Sequence, residues 1–158
     1  MTGEIGFQKP VGRICAQEPA IIVEKLIETA ASCVPGAAVK YGSTQGEVVV
    51  NDTSSNEIVG FLSWEHANPT NRPTTIATTY ALNAVAPVIK IGSGTPIRAI
   101  LGKSQTMTAG MAMMPGATTP DGAGSLIEGT PATDNIVAYA LEDVTTTSAV
   151  STIWVQLI

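Results

Sequence analysis

Hydrophobic positions along this chain come in short bursts, separated by polar stretches that carry glycine or proline. Residues 47–50, 58–62, 88–91, 96–101 and 136–141 are runs of four to six residues rich in Val, Ile and Ala. That is the length and composition of strands, not of helices. The final run alternates, with Ile153, Val155 and Leu157 on one face and Trp154, Gln156 and Ile158 on the other, as a pleated strand requires. Residues 20–29 fit two readings. As a helix, Pro19 sits near the first turn and Glu24, Lys25 and Glu28 share a flank. As a strand, Ile21, Val23, Ile27 and Thr29 share one face, with Glu24 and Glu28 on the other. The Ile-Ile-Val run favours the strand.

Turn chemistry divides these runs. Residues 37–41 and 47–50 flank Gly42-Ser43-Thr44-Gln45-Gly46, a gap that suits a hairpin. Gly92-Ser93-Gly94 also reads as a hairpin turn between its neighbours. Residues 66–73 contain Asn68-Pro69 and Arg72-Pro73, and each proline removes a donor and restricts its predecessor, so this is a loop. Residues 115–124 form another loop, and 109–114 a further strand. Residues 1–19, with three Gly and two Pro, read as an extended N-terminal arm. The fold class predicted is all-β: a small β-barrel or β-sandwich, with one β-rich domain over 20–158 and long Pro/Gly loops.

Part of the chain is written twice. Gly36-Ala37-Ala38-Val39-Lys40-Tyr41-Gly42 parallels Gly110-Met111-Ala112-Met113-Met114-Pro115-Gly116. Asn56-Glu57-Ile58-Val59-Gly60-Phe61-Leu62 parallels Asp134-Asn135-Ile136-Val137-Ala138-Tyr139-Ala140. Two related β units, at about 34–66 and 108–158, follow. They reflect either a duplication or the shared grammar of small barrels.

Composition narrows the function. Of 158 residues only 13% are charged and 4% aromatic, whereas 44% are apolar, and the mean hydropathy is +0.25. So little charge predicts a surface covered in part by partners. The net charge of −5 and the lack of a basic run exclude a phosphate-binding surface for nucleic acid. No apolar run approaches the ~18–20 residues of a spanning helix, and no membrane association is expected. The first residues, Met1-Thr2-Gly3-Glu4-Ile5, lack the basic start and apolar stretch of a secretory signal.

Candidate chemistry is thin. His66 is the single histidine, and Cys15 and Cys33 are too few and too far apart for a zinc or redox motif. Gly102-Lys103-Ser104 resembles the end of a phosphate loop, but Ile97 stands where the earlier glycine is needed. Glu142 and Asp143 are adjacent, so a strand points them apart. Met107, Met111, Met113 and Met114 suit apolar filling better than metal binding. No catalytic, cofactor or metal residue is expected, and no enzyme.

The order of segments resembles a known family. The Gly-bearing arm leads to the acid-flanked segment 23–28, then to Pro35-Gly36-Ala37-Ala38-Val39, then to Ile58-Val59-Gly60-Phe61-Leu62 and a proline loop. The end, with Asn135-Ile136-Val137-Ala138 and Trp154-Val155-Gln156-Leu157, continues the likeness. Together they resemble the structural cement, or head decoration, proteins of tailed bacteriophages. The resemblance implies a trimer bound to the major capsid protein on the outside of an assembled shell, built in the host cytoplasm and doing no chemistry. The expected contact residues lie in the arm (Ile5, Phe7, Pro10, Val11, Ile14) and around the proline loop (Trp64, His66, Arg72). The main alternative is a phage tail or receptor-binding module holding a carbohydrate on Trp64, Tyr80 and Trp154. A weaker one is a hydrolase using Cys33 or His66.

Overall fold

The computed structural model describes residues 22–54, 57–64, 73 and 75–158. Its elements among these residues are strands. β1 (Ile22–Ile27), β2 (Ala38–Tyr41), β3 (Glu47–Val50), β4 (Gly60–Leu62) and β5 (Val85–Lys90) close into one barrel in the order β1-β3-β2-β4-β5. β6 (Pro96–Leu101), β8 (Ala112–Pro115), β9 (Leu126–Glu128), β10 (Ala138–Ala140) and β12 (Ser151–Leu157) close a second, in the order β10-β12-β6-β9-β8. β7 (Thr106–Met107) and β11 (Val144–Thr145) form a two-stranded ribbon beside it. Residues 20–29 thus yield a strand, and the hairpin around residues 42–46 forms with Tyr41 opposite Val48.

The units are larger than the sequence spacing suggested, their strands spanning 22–90 and 96–157 instead of 34–66 and 108–158. The reason is parallel pairing. β1 lies beside β3, and β6 beside β9, so each barrel begins with a strand well before its glycine turn. The turn at Gly92-Ser93-Gly94 is not a hairpin, because β5 and β6 belong to different barrels and do not pair. It is the link between them.

The barrels are structural repeats at the level of single residues. Ala38 faces Phe61 and Val39 faces Gly60, and Ala112 faces Tyr139 and Met113 faces Ala138. Phe61 faces Ile89 as Tyr139 faces Gln156. Bonds outside the ladders repeat too. Gly36 N–H donates to Leu62 O (2.7 Å), and Gly110 N–H to Ala140 O (2.8 Å). Val59 N–H donates to Val39 O, Val137 N–H to Met113 O; Gly42 N–H to Glu47 O, Gly116 N–H to Ser125 O. Even the ribbon has a remnant in the first barrel. There Tyr80 N–H donates to Cys33 O, and Cys33 holds the position of Met107, which pairs with Val144.

Alternation along the strands builds two cores. Ile27, Val39, Val48, Val59, Leu62, Ala86 and Val88 fill the first barrel, with Cys33 and Tyr80. Ile97, Ala99, Leu101, Met113, Leu126, Ala138, Ile153, Val155 and Leu157 fill the second. The second cluster continues onto Ala38, Ile58, Phe61 and Ile89 of the first barrel. On β4 and β5 these alternate with inward residues, so Phe61 and Ile89 lie on the outer face.

Candidate functional site

A site for chemistry needs titratable groups that converge. Among the described residues no group of three or more His, Cys, Asp or Glu is placed to hold a metal ion. The acids instead hold backbone amides of loops and, in one case, of a strand. Asp121 accepts from Ala117 N–H (2.9 Å), Asp134 from Thr130 N–H (2.6 Å), Asp143 from Ala109 N–H (2.8 Å) and Glu142 from Trp154 N–H (2.8 Å). Glu28 accepts from the hydroxyl and the amide of Ser43. The Ser43 hydroxyl, then its amide, and the charge of Lys40 hold the Glu28 carboxyl below its ordinary value.

Cys33 is fully buried and its thiol faces Thr29 O at 2.9 Å. Burial pushes the thiol up to about 11, so at pH 8 only about one molecule in a thousand carries the thiolate nucleophile. In a Cys15→Ser background, thiol reagents are expected to leave the folded protein unlabelled and to modify it promptly in denaturant. Rapid labelling of the native protein would restore a nucleophilic role for Cys33.

The aromatic residues proposed for a carbohydrate platform do not form one. Tyr80 and Trp154 are buried, and Trp64 is half-buried against the second core, its indole N–H donating to Pro73 O at 2.9 Å. Tyr80 lies in the first core with its hydroxyl donating to Ser63 O, and Trp154 is buried on β12 between the half-exposed Thr152 and Gln156. Of the other expected contact residues, Ile5, Phe7, Pro10, Val11, Ile14, His66 and Arg72 lie outside the described residues.

What the fold does assemble is a junction between the barrels. The Ile100 amide donates to Gly36 O (3.2 Å), Ala38 N–H to Gly124 O (2.8 Å) and Gly124 N–H to Asn51 O (3.0 Å). Gly124 is therefore spliced between the ends of β2 and β3. Its missing side chain matters here, since a Cβ would lie 2.8 Å from that of Ala37 and 3.0 Å from Val50. The buried Asn51 amide reaches Gly116 O (3.1 Å), and Thr118 N–H reaches Asp52 O (3.0 Å). Beside the junction runs an apolar groove of about 470 Å³, with Val34, Pro35, Ile76, Ile100 and Val150 in its walls. Nothing in the sequence marked Gly124 or Asn51, because both contacts join residues more than 60 positions apart.

Further apolar side chains stand in solvent away from the groove: Leu26, Tyr41, Leu82, Val85, Tyr139, Leu141 and Ile158.

No protein-family model matches the chain, and no curated protein matches it. Among solved structures it is similar to the head fiber gp8.5 N base of bacteriophage phi29, with a TM-score of 0.48 and 10% identity, over 89% of this chain and 95% of that one. An overlap at that level carries no weight for what this chain binds.

Proposed function

We propose that this chain is a structural protein of a bacteriophage head, which binds the outer surface of the assembled shell as a trimer and stabilises it without chemistry. The observation that carries the reading is the surface. Large apolar side chains stand exposed on both barrels, on a chain with only 13% charged residues, while the acids named above are engaged within the chain. Scattered exposed apolar residues need no explanation, but set in so weakly charged a surface they suit a protein that works covered by partners. The resemblance of the segment order to phage head decoration proteins is what points to the major capsid protein as the partner. Several copies held together raise the effective concentration at neighbouring sites, so a modest contact per copy suffices.

The test is addition of purified protein to shells that lack it, read by co-sedimentation and by the temperature at which the shells open. Binding with a raised opening temperature is expected, and deletion of residues 1–19 is expected to abolish it. No co-sedimentation at any concentration, with retention on a glycan array, would replace this reading by the carbohydrate-binding one.

A further inference from the structure

The two barrels dock end to side, and because they are repeats, each carries a copy of both docking surfaces. One copy of each is in use. The receiving end of the first barrel is formed by Pro35, Gly36, Ala37, Ala38 and Asn51, all buried. The surface that fills it comes from the second barrel: Arg98, Ala99 and Ile100 of β6, and Gly124. The repeat places the receiving end of the second barrel at Ala109, Gly110, Met111, Ala112 and Gly129. It places the filling surface of the first barrel at Glu24, Lys25, Leu26 and Gly46.

Among the described residues both of these second copies are open. A Cβ on Gly36 would meet Arg98 O at 2.8 Å, whereas one on Gly110 would meet nothing within 4 Å. The backbone of the two glycines is alike, with φ of 86° and 92°, so the difference is occupancy. Pro35 is buried and its counterpart Ala109 is exposed. Ile100 is 7% exposed and its counterpart Leu26 is 39% exposed. A Cβ on Gly124 would meet Ala37 at 2.8 Å and Val50 at 3.0 Å, whereas one on its counterpart Gly46 would meet nothing within 4 Å. Gly129 N–H donates to Ala112 O (2.9 Å), as Asn51 N–H does to Ala38 O (2.9 Å). Among the described residues, however, no peptide enters between Ala112 and Gly129 as Gly124 enters between Ala38 and Asn51.

We propose that the open end of the second barrel receives the first barrel of another copy of this chain, with Leu26 and Gly46 in the places that Ile100 and Gly124 take within the chain. The contact is head-to-tail, a heterologous interface that closes into a ring or runs on as a filament according to its rotation. The inference rests on the function proposed above only for the number three, where such a ring would be the trimer. It holds or fails in solution without any shell, so its failure and that of shell binding are told apart.

The intermolecular contact is expected to be weaker than the internal one. The loop over 42–46 is shorter than that over 116–125, so it lacks the residues that give the Thr118 bond to Asp52. In addition, Leu26 N–H is engaged with Gly46 O (3.2 Å). Assembly should accordingly depend on concentration.

Light scattering on the full chain tests this with two variants. Ala109→Arg blocks the receiving end and Leu26→Arg the filling surface; both sites are solvent-exposed, and unchanged unfolding midpoints confirm that the variants fold. The wild type is expected to gain mass with concentration, and each variant alone to stay monomeric. Mixed in equal amounts, the variants are expected to form dimers and nothing larger, since one retains the filling surface and the other the receiving end. A monomeric wild type at all concentrations, variants that assemble like the wild type, or a mixture without dimers would each overturn the proposal.

Discussion

Replacing Phe61 by alanine is expected to cost the fold about 3–5 kcal/mol, the range for a buried phenylalanine whose site cannot collapse. The same change at Tyr139 is expected to cost about 1 kcal/mol or less, as for a partly exposed residue. The two residues occupy one place in the repeat, each opposite an alanine, Ala38 or Ala112. They differ in cover. Phe61 is 0% exposed and joined to the second core, while Tyr139 is 37% exposed. Because Phe61 points out of its own barrel, its loss falls on the junction and leaves the first interior filled. Urea unfolding of Phe61→Ala should therefore show a lower midpoint and a broader transition, as the barrels begin to melt apart. Equal losses at the two positions would mean that Phe61 is held within one barrel and does not bind the two together.

Gly36 and Gly110 give a second matched pair. Alanine at either position must adopt a positive φ, which costs about 1 kcal/mol. At Gly110 that is the whole expected effect in the isolated chain. At Gly36 the new methyl group also meets a backbone oxygen at 2.8 Å, and Arg98 can withdraw only if the barrels separate. Overpacking of this kind adds about 1–3 kcal/mol, for a total of about 2–4 kcal/mol. For a chain of this length that lowers Tm by roughly 4–16 °C, against roughly 2–4 °C for Gly110→Ala. Calorimetry of the two variants measures the difference directly. Similar Tm values would show that the contact at Gly36 yields readily and contributes little to joining the barrels.

The strands were legible where apolar runs exceed three residues. β2, β3, β5, β6 and β12 fall where the periodicity and the turns put them. β7, β9 and β11 were not legible, since two or three residues cannot establish a period; they are strands because the repeat gives them partners. The echo of residues 36–42 in 110–116, and of 56–62 in 134–140, located two of the five matched strand pairs. The other three are hidden because the register is shared while the side chains are not, as with Ile89 against Gln156. Pairing of β1 with β3 is equally invisible, because a parallel ladder depends on chain direction in space and leaves no local signature. Function was less legible still. Of the expected contact residues, five belong to the N-terminal arm and three to the surroundings of the proline loop, and the one described among them, Trp64, lies half inside the core. The junction was missed because its key positions are glycines and a buried asparagine, which in sequence look like any other turn.

Synthesis runs from the N-terminus, so the first barrel, which ends at Lys90, leaves the ribosome before Gly124 emerges, and domains fold as they emerge. Until then the place of Gly124 at the ends of β2 and β3 is not filled by this chain. On a polysome, the nearest glycine turn able to fill that place belongs to a neighbouring, more advanced chain. The short Gly92-Ser93-Gly94 link counters this, because it keeps each chain's own second barrel close to the first as soon as it appears. Lengthening that link should turn a protein that completes itself into one whose nascent copies complete each other.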